Sequence, residues 1–352
     1  MSLTPELIDL LACPSTGNDL QLSDGILTIE NTEHTYPIVS DIPWLLPNPQ
    51  NSLIDWSVKL NHFHQVLSHE IAELEQEIAS TTSPATKERL EKLLVGKQQF
   101  VRTVFDLLTP IVRHPMARKS TYDSLSDTAP NTQNLLSYEA NLYRDWVWGE
   151  EENNISNDIV TQQVEQANCK KLLVLGAGAG RLALDIHKKL SPNITVATDI
   201  NPLLVLATQK IIQGNGLNIY EFPTEPRNSH YCAIEHSIAA ETSPDNFHYI
   251  FSDATKPAFK KGAFDTVVTP WLIDIQPLEL SHFLKQLNQY LSIGDQWINF
   301  GSLVFHQNRD ALCYSIEEVK TIAQQQGFDI QSIEEHQIPY LKSPYNAGHR
   351  IE

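Results

Sequence analysis

The fold is read most directly from residues 171–181, whose sequence is KLLVLGAGAGR. The pattern from Lys171 to Leu175 is that of a buried β-strand, and a helical pattern begins at Arg181. Between them lies a glycine loop, residues 176–180, in which every second residue is glycine. Glycine lets the backbone turn tightly and approach a ligand without an intervening side chain. The glycine loop therefore predicts a nucleotide-binding turn between a strand and a helix.

The spacing of the glycines indicates which class of nucleotide the loop can bind. Gly176, Gly178 and Gly180 follow a GxGxG spacing, whereas loops that bind nicotinamide or flavin dinucleotides have GxGxxG. The last glycine of that motif would fall at position 181, where this chain has Arg181. A dehydrogenase is therefore disfavoured, and a plain tight turn in a Rossmann-like domain stays as the alternative.

Strand and helix patterns alternate on both sides of the loop. Further strands are predicted at 194–198, 249–251, 266–268, 297–300 and 328–333, and helices at 181–190, 278–291 and 316–325. This alternation predicts an α/β, Rossmann-like domain with a doubly wound parallel sheet over residues 136–352. We expect its sheet to lack the last strand, because the sequence stops at Glu352 where that strand should begin.

The first 135 residues have a different texture. Short strand patterns and the turn signal Ser23-Asp24-Gly25 predict a small β-rich domain over residues 1–48, and the proline-rich run at 42–49 is interpreted as a linker. Apolar residues at helical spacing from Leu60 to Ile78, followed by a helix start near Pro84, predict a helical hairpin. The hairpin and a polar linker are assigned to residues 49–135.

Two acidic residues follow predicted strands at positions that suit an adenosine ligand. Asp199 ends the strand at 194–198, where a carboxylate can accept hydrogen bonds from ribose hydroxyls. Its alternative role is to cap the helix that starts at Pro202. Asp253 and Ala254 follow the strand at 249–251, where an acid can accept a hydrogen bond from an adenine amino group. Together with the glycine loop, this series predicts a class I methyltransferase with S-adenosyl-L-methionine as its cofactor.

Three stretches resemble the carnosine N-methyltransferase family, namely NLYRDW at 141–146, VVTPWLID at 267–274 and WINFGSLVFH at 297–306. The similarity covers about residues 55–350. It implies an enzyme that methylates an imidazole nitrogen of a small histidine-containing substrate.

The resemblance also implies roles for individual residues. Arg144 is expected to pair with the carboxylate of the cofactor, with Asn141 beside it. Asp274 and His306 are expected to hold the imidazole, and Tyr340 or Tyr345 to contact the substrate.

Asp274 suits this chemistry because the attacking ring nitrogen must be unprotonated. A carboxylate that accepts a hydrogen bond from the other ring nitrogen fixes the tautomer and aims the lone pair. Asp274 has an alternative role as a cap of the helix entered through Pro277, and His306 as a buried core histidine.

Departures from the family pattern leave the substrate open. Ile275-Gln276-Pro277 follows the aspartate where the family has a Thr-Ala-like pair. The alternatives are methylation of another small amine or of a peptide histidine, a non-catalytic nucleotide-binding scaffold, and RNA modification with a partner protein.

The N-terminal segment resembles the small zinc-ribbon-like domain that activates some methyltransferases, but it lacks the metal cysteines. Cys13 stands alone, and Thr16 occupies the place of its partner. The four cysteines form no CxxC pair, and His62, His64 and His69 are not spaced by four residues. No metal site is expected.

The composition limits the partners. With 43 acidic and 25 basic residues the formal charge is −18, which disfavours nucleic acid as a partner and suits a small-molecule substrate. No apolar run reaches the ~20 residues of a membrane span, so no membrane association is expected. The first residues lack the basic and apolar parts of a signal peptide, so the cytoplasm is the expected location.

Overall fold

The computed structural model describes residues 3–118, 134–164, 169–305, 307 and 309–346. Its helices are α1 (Pro5–Leu10), α2 (Pro49–Ser80), α3 (Pro84–Val112), α4 (Glu139–Tyr143), α5 (Glu150–Gln163), α6 (Arg181–Leu190), α7 (Pro202–Ile212), α8 (Leu280–Asn288) and α9 (Ile316–Gln325). Its strands are β1 (Gln21–Ser23), β2 (Ile26–Thr28), β3 (Thr35–Tyr36), β4 (Ile38–Val39), β5 (Ile42–Leu45), β6 (Lys171–Leu175), β7 (Ile194–Asp199), β8 (Leu217–Glu221), β9 (Ile234–Ile238), β10 (Phe247–Ser252), β11 (Thr266–Pro270) and β12 (Gln296–Phe300). A π-helical segment, Arg144–Trp148, follows α4.

The chain forms two compact units, each composed of three separate stretches of sequence. Unit 1 consists of Met1–Pro47, Asn153–Ile200 and Pro244–Ile338, and unit 2 of Asn48–Glu152, Asn201–Ser243 and Pro339–Glu352. These stretches divide the sequence differently from the three predicted domains, 1–48, 49–135 and 136–352, whose boundaries stay a prediction.

Unit 1 contains a sheet of seven strands in the order β12-β11-β6-β7-β10-β5-β4. All neighbours pair in parallel except β4 and β5, which are antiparallel. From β6 the strands proceed outward through β7 to β10 on one side, and through β11 to β12 on the other. This order is that of a doubly wound sheet, in which ligands bind at the carboxyl ends of the strands where the order reverses. The predicted α/β, Rossmann-like fold is confirmed.

The burial of β6 in the core of unit 1 is consistent with its central place in the sheet. The apolar residues of β6 from Leu172 to Leu175 are fully buried, as is typical of a strand covered on both faces. One apolar cluster combines this strand with residues of α1, α8 and the loop before β11, including Leu7, Leu10, Phe259, Phe264, Phe283 and Leu287. The N-terminal segment thus contributes to the core of the sheet.

The proline-rich run at 42–49 is not a linker throughout, because its first part forms β5. Trp44 and Leu45 pair with Phe251 and Ser252 of β10, and Trp44 has no exposed surface. Pro43 lacks a backbone N–H, but its pairing is with β4, and the contact with β10 begins one residue later.

The other predicted elements agree with the structure to within a few residues, with one exception. β6, α6 and α9 have the predicted bounds, and α8 is shorter than the predicted helix at each end. The strand predicted at 328–333 is wrong, since these residues form neither strand nor helix.

Unit 2 contains the predicted helical hairpin, α2 and α3. Ser83 caps the second helix by accepting a hydrogen bond from the N–H of Thr86. Phe63 of α2 and Phe100 of α3 contact edge to face, with ring centroids 6.0 Å apart. The antiparallel pair β8–β9, which the sequence patterns did not predict, also belongs to this unit. None of the helices in the described part of the chain has the length and hydrophobicity that a membrane span requires.

Candidate functional site

The glycine loop follows β6 at the carboxyl edge of the sheet. Gly176, Gly178 and Gly180 have φ angles of 69°, 60° and 76°, in the left-handed region that favours glycine. A Cβ atom on Gly176 would lie 2.9 Å from Cδ1 of Leu272, so the end of the leucine side chain would have to shift to admit it. The loop lies between β6 and α6, where the sequence predicted a tight turn, and its role in binding a nucleotide stays a prediction.

Two neighbouring strands hold the middle of the loop. The N–H of Gly178 donates a hydrogen bond to Oδ2 of Asp199 over 2.8 Å, and the hydroxyl of Tyr249 donates to the carbonyl of Gly178. The N–H of Ala177 donates to the carbonyl of Thr198 over 2.8 Å. The alternative role of Asp199 as a helix cap is wrong, because the side chain of Asn201 caps α7.

Asp253 and Ala254 come directly after β10, beside the end of β7. Oδ1 of Asp253 accepts hydrogen bonds from the N–H and the hydroxyl of Thr255, at 2.8 and 2.7 Å. This oxygen shapes the turn after β10. Both residues are half-buried.

Two hydroxyls near the same strand ends have no hydrogen-bond partner among the described residues. They are Oγ1 of Thr198 and Oγ of Ser252, and both side chains are buried. Ile250 is the register partner of Thr198, so Ser252 lies one diagonal step away on the same face of the sheet. Buried polar groups usually have a partner, so a ligand or a bound water is expected here.

These residues fit an adenosine cofactor. Three positive-φ glycines form the cradle, and a half-buried carboxylate, Asp199, lies at the end of the adjoining strand. Among the described residues, no group of three or more histidine, cysteine, aspartate or glutamate side chains is arranged to bind a metal ion.

Asp274 lies in unit 1, four residues after β11. It is 3% exposed, and its Oδ2 accepts hydrogen bonds from the hydroxyl of Ser302 and the N–H of Val304, at 2.8 and 3.3 Å. The alternative role of Asp274 as a helix cap is wrong, because the N-cap of α8 is Glu279. The carboxylate instead links the loop after β11 to the loop after β12. His306, the second residue predicted to hold the imidazole, lies outside the described residues.

Arg144 and Asn141 belong to unit 2. Asn141 is in α4, and Arg144 begins the π-helical segment, a type of irregularity that is frequent at functional sites. Nε of Arg144 donates to Asp145 over 2.7 Å, and Nη1 donates to Glu152 over 3.3 Å. Burial lowers the pKa of Arg144, but the two carboxylates outweigh burial and raise it. Arg144 is therefore a permanent cation held by two acids.

Tyr340 and Tyr345 lie in the last described stretch of unit 2, which is fixed by two buried carboxylates. Oε2 of Glu152 accepts a hydrogen bond from the N–H of Leu341 over 2.8 Å. Oε1 of Glu221 accepts one from the hydroxyl of Ser343 over 3.2 Å. Both tyrosines are half-buried.

Glu221 has further partners in unit 2. Its Oε2 lies 2.7 Å from Nε2 of His236 and accepts a hydrogen bond from the indole of Trp148 at 3.3 Å. The ring of Tyr345 contacts that of His236, with centroids 5.7 Å apart. The cluster around Glu221 thus connects the π-helical segment, the β8–β9 pair and the C-terminal stretch.

The structure brings together some of the predicted site residues within each unit. In unit 1 the glycine loop and Asp199 are in direct contact, Asp253 and Ala254 follow the next strand, and Asp274 occupies the loop after β11. In unit 2 Asn141 and Arg144 share one helical turn.

Three acids and one tyrosine around these residues were missed from the sequence. Asp145 stood in the quoted NLYRDW stretch, but Glu152, Glu221 and Tyr249 carry no local motif.

The sequence matches the family model for carnosine N-methyltransferase over residues 125–350. No curated protein matches the sequence.

Solved structures are more distant. The YcgJ protein from Bacillus subtilis is 13% identical, with a TM-score of 0.31 and a match that covers 42% of this chain and 50% of that one. Phosphoethanolamine N-methyltransferase 2 from Haemonchus contortus, in complex with S-adenosyl-L-methionine, is 14% identical, with a TM-score of 0.38 and coverage of 56% and 43%. An S-adenosylmethionine-dependent methyltransferase from Aquifex aeolicus is 14% identical, with a TM-score of 0.37 and coverage of 57% and 91%. The chain spans about half the length of the first two structures.

Proposed function

This chain belongs to the carnosine N-methyltransferase family, and we propose that it transfers a methyl group from S-adenosyl-L-methionine to an imidazole nitrogen of a small histidine-containing substrate. The match of the family model over residues 125–350 is the observation that carries the proposal. The glycine loop, Asp199 and the buried Asp274 in unit 1 support it.

In this proposal, different residues bind the cofactor and the substrate. Gly176, Gly178 and Gly180 leave the main chain accessible, and Asp199 accepts hydrogen bonds from the ribose hydroxyls. Arg144 pairs with the carboxylate of the cofactor. When bound, the sulfonium cofactor supplies an electrophilic methyl group.

Asp274 orients the substrate in this proposal. Its carboxylate accepts a hydrogen bond from the N–H of one ring nitrogen and so fixes the tautomer in which the other nitrogen carries the lone pair. The hydrogen bonds from Ser302 and Val304 hold the carboxylate in place. Because methyl transfer is an in-line displacement, such positioning supplies much of the acceleration.

The test is a methylation assay of the purified chain with carnosine, free histidine and imidazole-containing peptides, with a labelled methyl donor. Transfer to an imidazole nitrogen, located on the product by NMR, supports the proposal. Transfer only to amines without an imidazole ring contradicts the proposed imidazole substrate but still supports S-adenosyl-L-methionine as the cofactor. Tight binding of adenosylhomocysteine without any transfer favours the scaffold alternative, and no binding at all contradicts the cofactor.

A peptide histidine is the second candidate substrate, because the departures at Ile275-Gln276-Pro277 leave the identity of the substrate open. Gln276 is buried, and its amide bonds to both backbone groups of Leu278, so the loop beside Asp274 has its own conformation. A higher kcat/KM on a histidine peptide than on carnosine identifies this alternative.

A further inference from the structure

Both backbone polar groups of Gly178, in the middle of the glycine loop, are held by side chains from other strands. Its N–H donates to the carboxylate of Asp199 on β7, and its carbonyl accepts from the hydroxyl of Tyr249 on β10. The loop itself follows β6. Three adjacent strands therefore fix one peptide segment.

The register of the sheet explains how Tyr249 reaches the loop across β7. Tyr249 is the partner of Ala197 on β7, and Ala197 is the partner of Val174 on β6. Partners in register project to the same face of a sheet. The side chain of Ala197 is a single methyl group, which leaves room for the tyrosine ring to extend toward β6. Asp199 lies two residues further along β7 and so projects to the same face.

A comparison within β10 isolates the contribution of the hydroxyl. Phe247, Tyr249 and Phe251 alternate along the strand and share that face. Phe247 packs against the ring of His187 and Phe251 against Trp44, and both contacts involve apolar phenyl rings. The aromatic residue of this row that carries a hydroxyl is the one that faces the glycine loop. Tyr249 is 4% exposed, and a buried tyrosine hydroxyl needs a hydrogen-bond partner, which the carbonyl of Gly178 provides.

We infer that Tyr249 is a positioning residue for the cofactor. It fixes the carbonyl of Gly178, and with Asp199 it holds the loop in its positive-φ conformation before any ligand arrives. A loop that is already ordered loses less conformational entropy on binding, so the affinity is higher. This inference rests on the proposed function in one respect, namely that the glycine loop holds the adenosine cofactor.

The test compares the wild-type chain with Tyr249→Phe and with a matched control, Tyr290→Phe. Tyr290 is also buried in unit 1, and its hydroxyl donates to the carbonyl of Pro257 over 3.4 Å, away from the loop. Calorimetry gives the Kd for adenosylhomocysteine, and thermal unfolding without ligand gives the Tm. We expect the Kd of Tyr249→Phe to rise about three- to tenfold, the effect of one buried hydrogen bond. The Kd of Tyr290→Phe should stay within about twofold of the wild type, with a similar Tm for both variants.

Hydrogen exchange of the ligand-free protein provides a second measurement. Amides at 177–180 should exchange faster in Tyr249→Phe than in the wild type and in Tyr290→Phe. An unchanged Kd together with unchanged exchange overturns the inference, and so does an equal loss of affinity in both variants. Failure of the wild-type chain to bind adenosylhomocysteine contradicts the proposed function instead, and the exchange experiment then still tests the hold of Tyr249 on the loop.

Discussion

At the scale of single residues, we expect a substitution of Asp274 to lower the rate of methyl transfer without changing the affinity for the cofactor. Asp274→Asn keeps an oxygen that accepts from Ser302 and Val304 but removes the negative charge that would fix the imidazole tautomer. We expect kcat to fall by about 100-fold or more, the usual range for a lost acid–base or orienting group, while the Kd for adenosylhomocysteine changes little. Steady-state kinetics and calorimetry measure the two quantities.

Ser302→Ala is the matched control for this prediction. It removes one donor to Asp274 and leaves the carboxylate, so its kcat should stay within about tenfold of the wild type. Full activity in Asp274→Asn would show that the imidazole is held elsewhere.

Gly178→Val tests the glycine loop directly. A branched side chain at φ 60° is strained, and it would occupy the space where the main chain meets the cofactor. Binding of adenosylhomocysteine should be lost in calorimetry. Gly294→Val is the control, since Gly294 has φ 94° with no atom within 4 Å of an added Cβ. Equal binding by both variants would contradict the role of the loop.

The residues of the candidate site differ in how well the sequence predicts them. The glycines and Asp199 are predictable because their spacing along the chain is itself the signal. Glu152, Glu221 and Tyr249 are not, because their partners lie up to 189 residues away, as in the hydrogen bond from Leu341 to Glu152. A lone acid or tyrosine has no periodicity that would indicate such a contact.

At the scale of secondary-structure elements, β5 makes the N-terminal segment part of the sheet. Trp44→Ala removes a fully buried indole whose ring lies 4.4 Å from that of Phe251. The free energy of unfolding should fall by about 3–5 kcal/mol, as measured by urea denaturation. Leu22→Ala in β1, where the side chain is 44% exposed, should cost less than about 1 kcal/mol. Similar losses in both variants would contradict the central place of β5.

The π-helical segment leads to a prediction for cofactor affinity. Glu152 forms an ion pair with Arg144, the residue that we propose binds the carboxylate of the cofactor. The carboxylate of Glu152 and that of the cofactor therefore compete for Arg144. Glu152→Gln removes the competing charge and keeps an oxygen for the N–H of Leu341. We expect the Kd for S-adenosyl-L-methionine to fall about three- to tenfold, in the range of one charge-assisted hydrogen bond.

Glu151→Gln removes an exposed charge at the neighbouring position and should leave this Kd unchanged. A higher Kd in Glu152→Gln would mean that Glu152 orients Arg144 rather than competing for it.

The elements of the fold were predictable where the signal is local. Helix α6 and strand β6 have the predicted bounds because an apolar period and a glycine stop define them. Strand β5 was missed because prolines dominate its neighbourhood and its partner β10 is about 200 residues away in sequence. Residues 328–333 alternate like a strand, but an alternating pattern forms a strand only where a neighbouring backbone pairs with it.

At the scale of the whole molecule, acid stability depends on His248. This residue is 4% exposed in β10, and its Nε2 has no hydrogen-bond partner among the described residues. Burial lowers its pKa to about 4, whereas an unfolded chain has a histidine pKa of about 6.5. The neutral form therefore stabilises the fold above pH 6.5, and up to about 3 kcal/mol is lost as the pH falls from 6.5 toward 4.

Urea denaturation at pH 7 and pH 4.5 measures this loss. His248→Leu cannot take up the proton, so its loss between the two pH values should be smaller than that of the wild type. His282→Gln, where the side chain is 69% exposed, should behave like the wild type. An identical loss in His248→Leu would assign the acid sensitivity to other groups.

The interleaving of the two compact units has a consequence for biosynthesis. Strand β5 is translated some 200 residues before its partner β10. Helices α2 and α3 can form soon after they emerge, whereas Glu152 and Glu221 must await Leu341 and Ser343. Neither unit can be completed on a nascent chain that has not passed residue 243. The edge of β5 should therefore be exposed to chaperones until β10 has been translated.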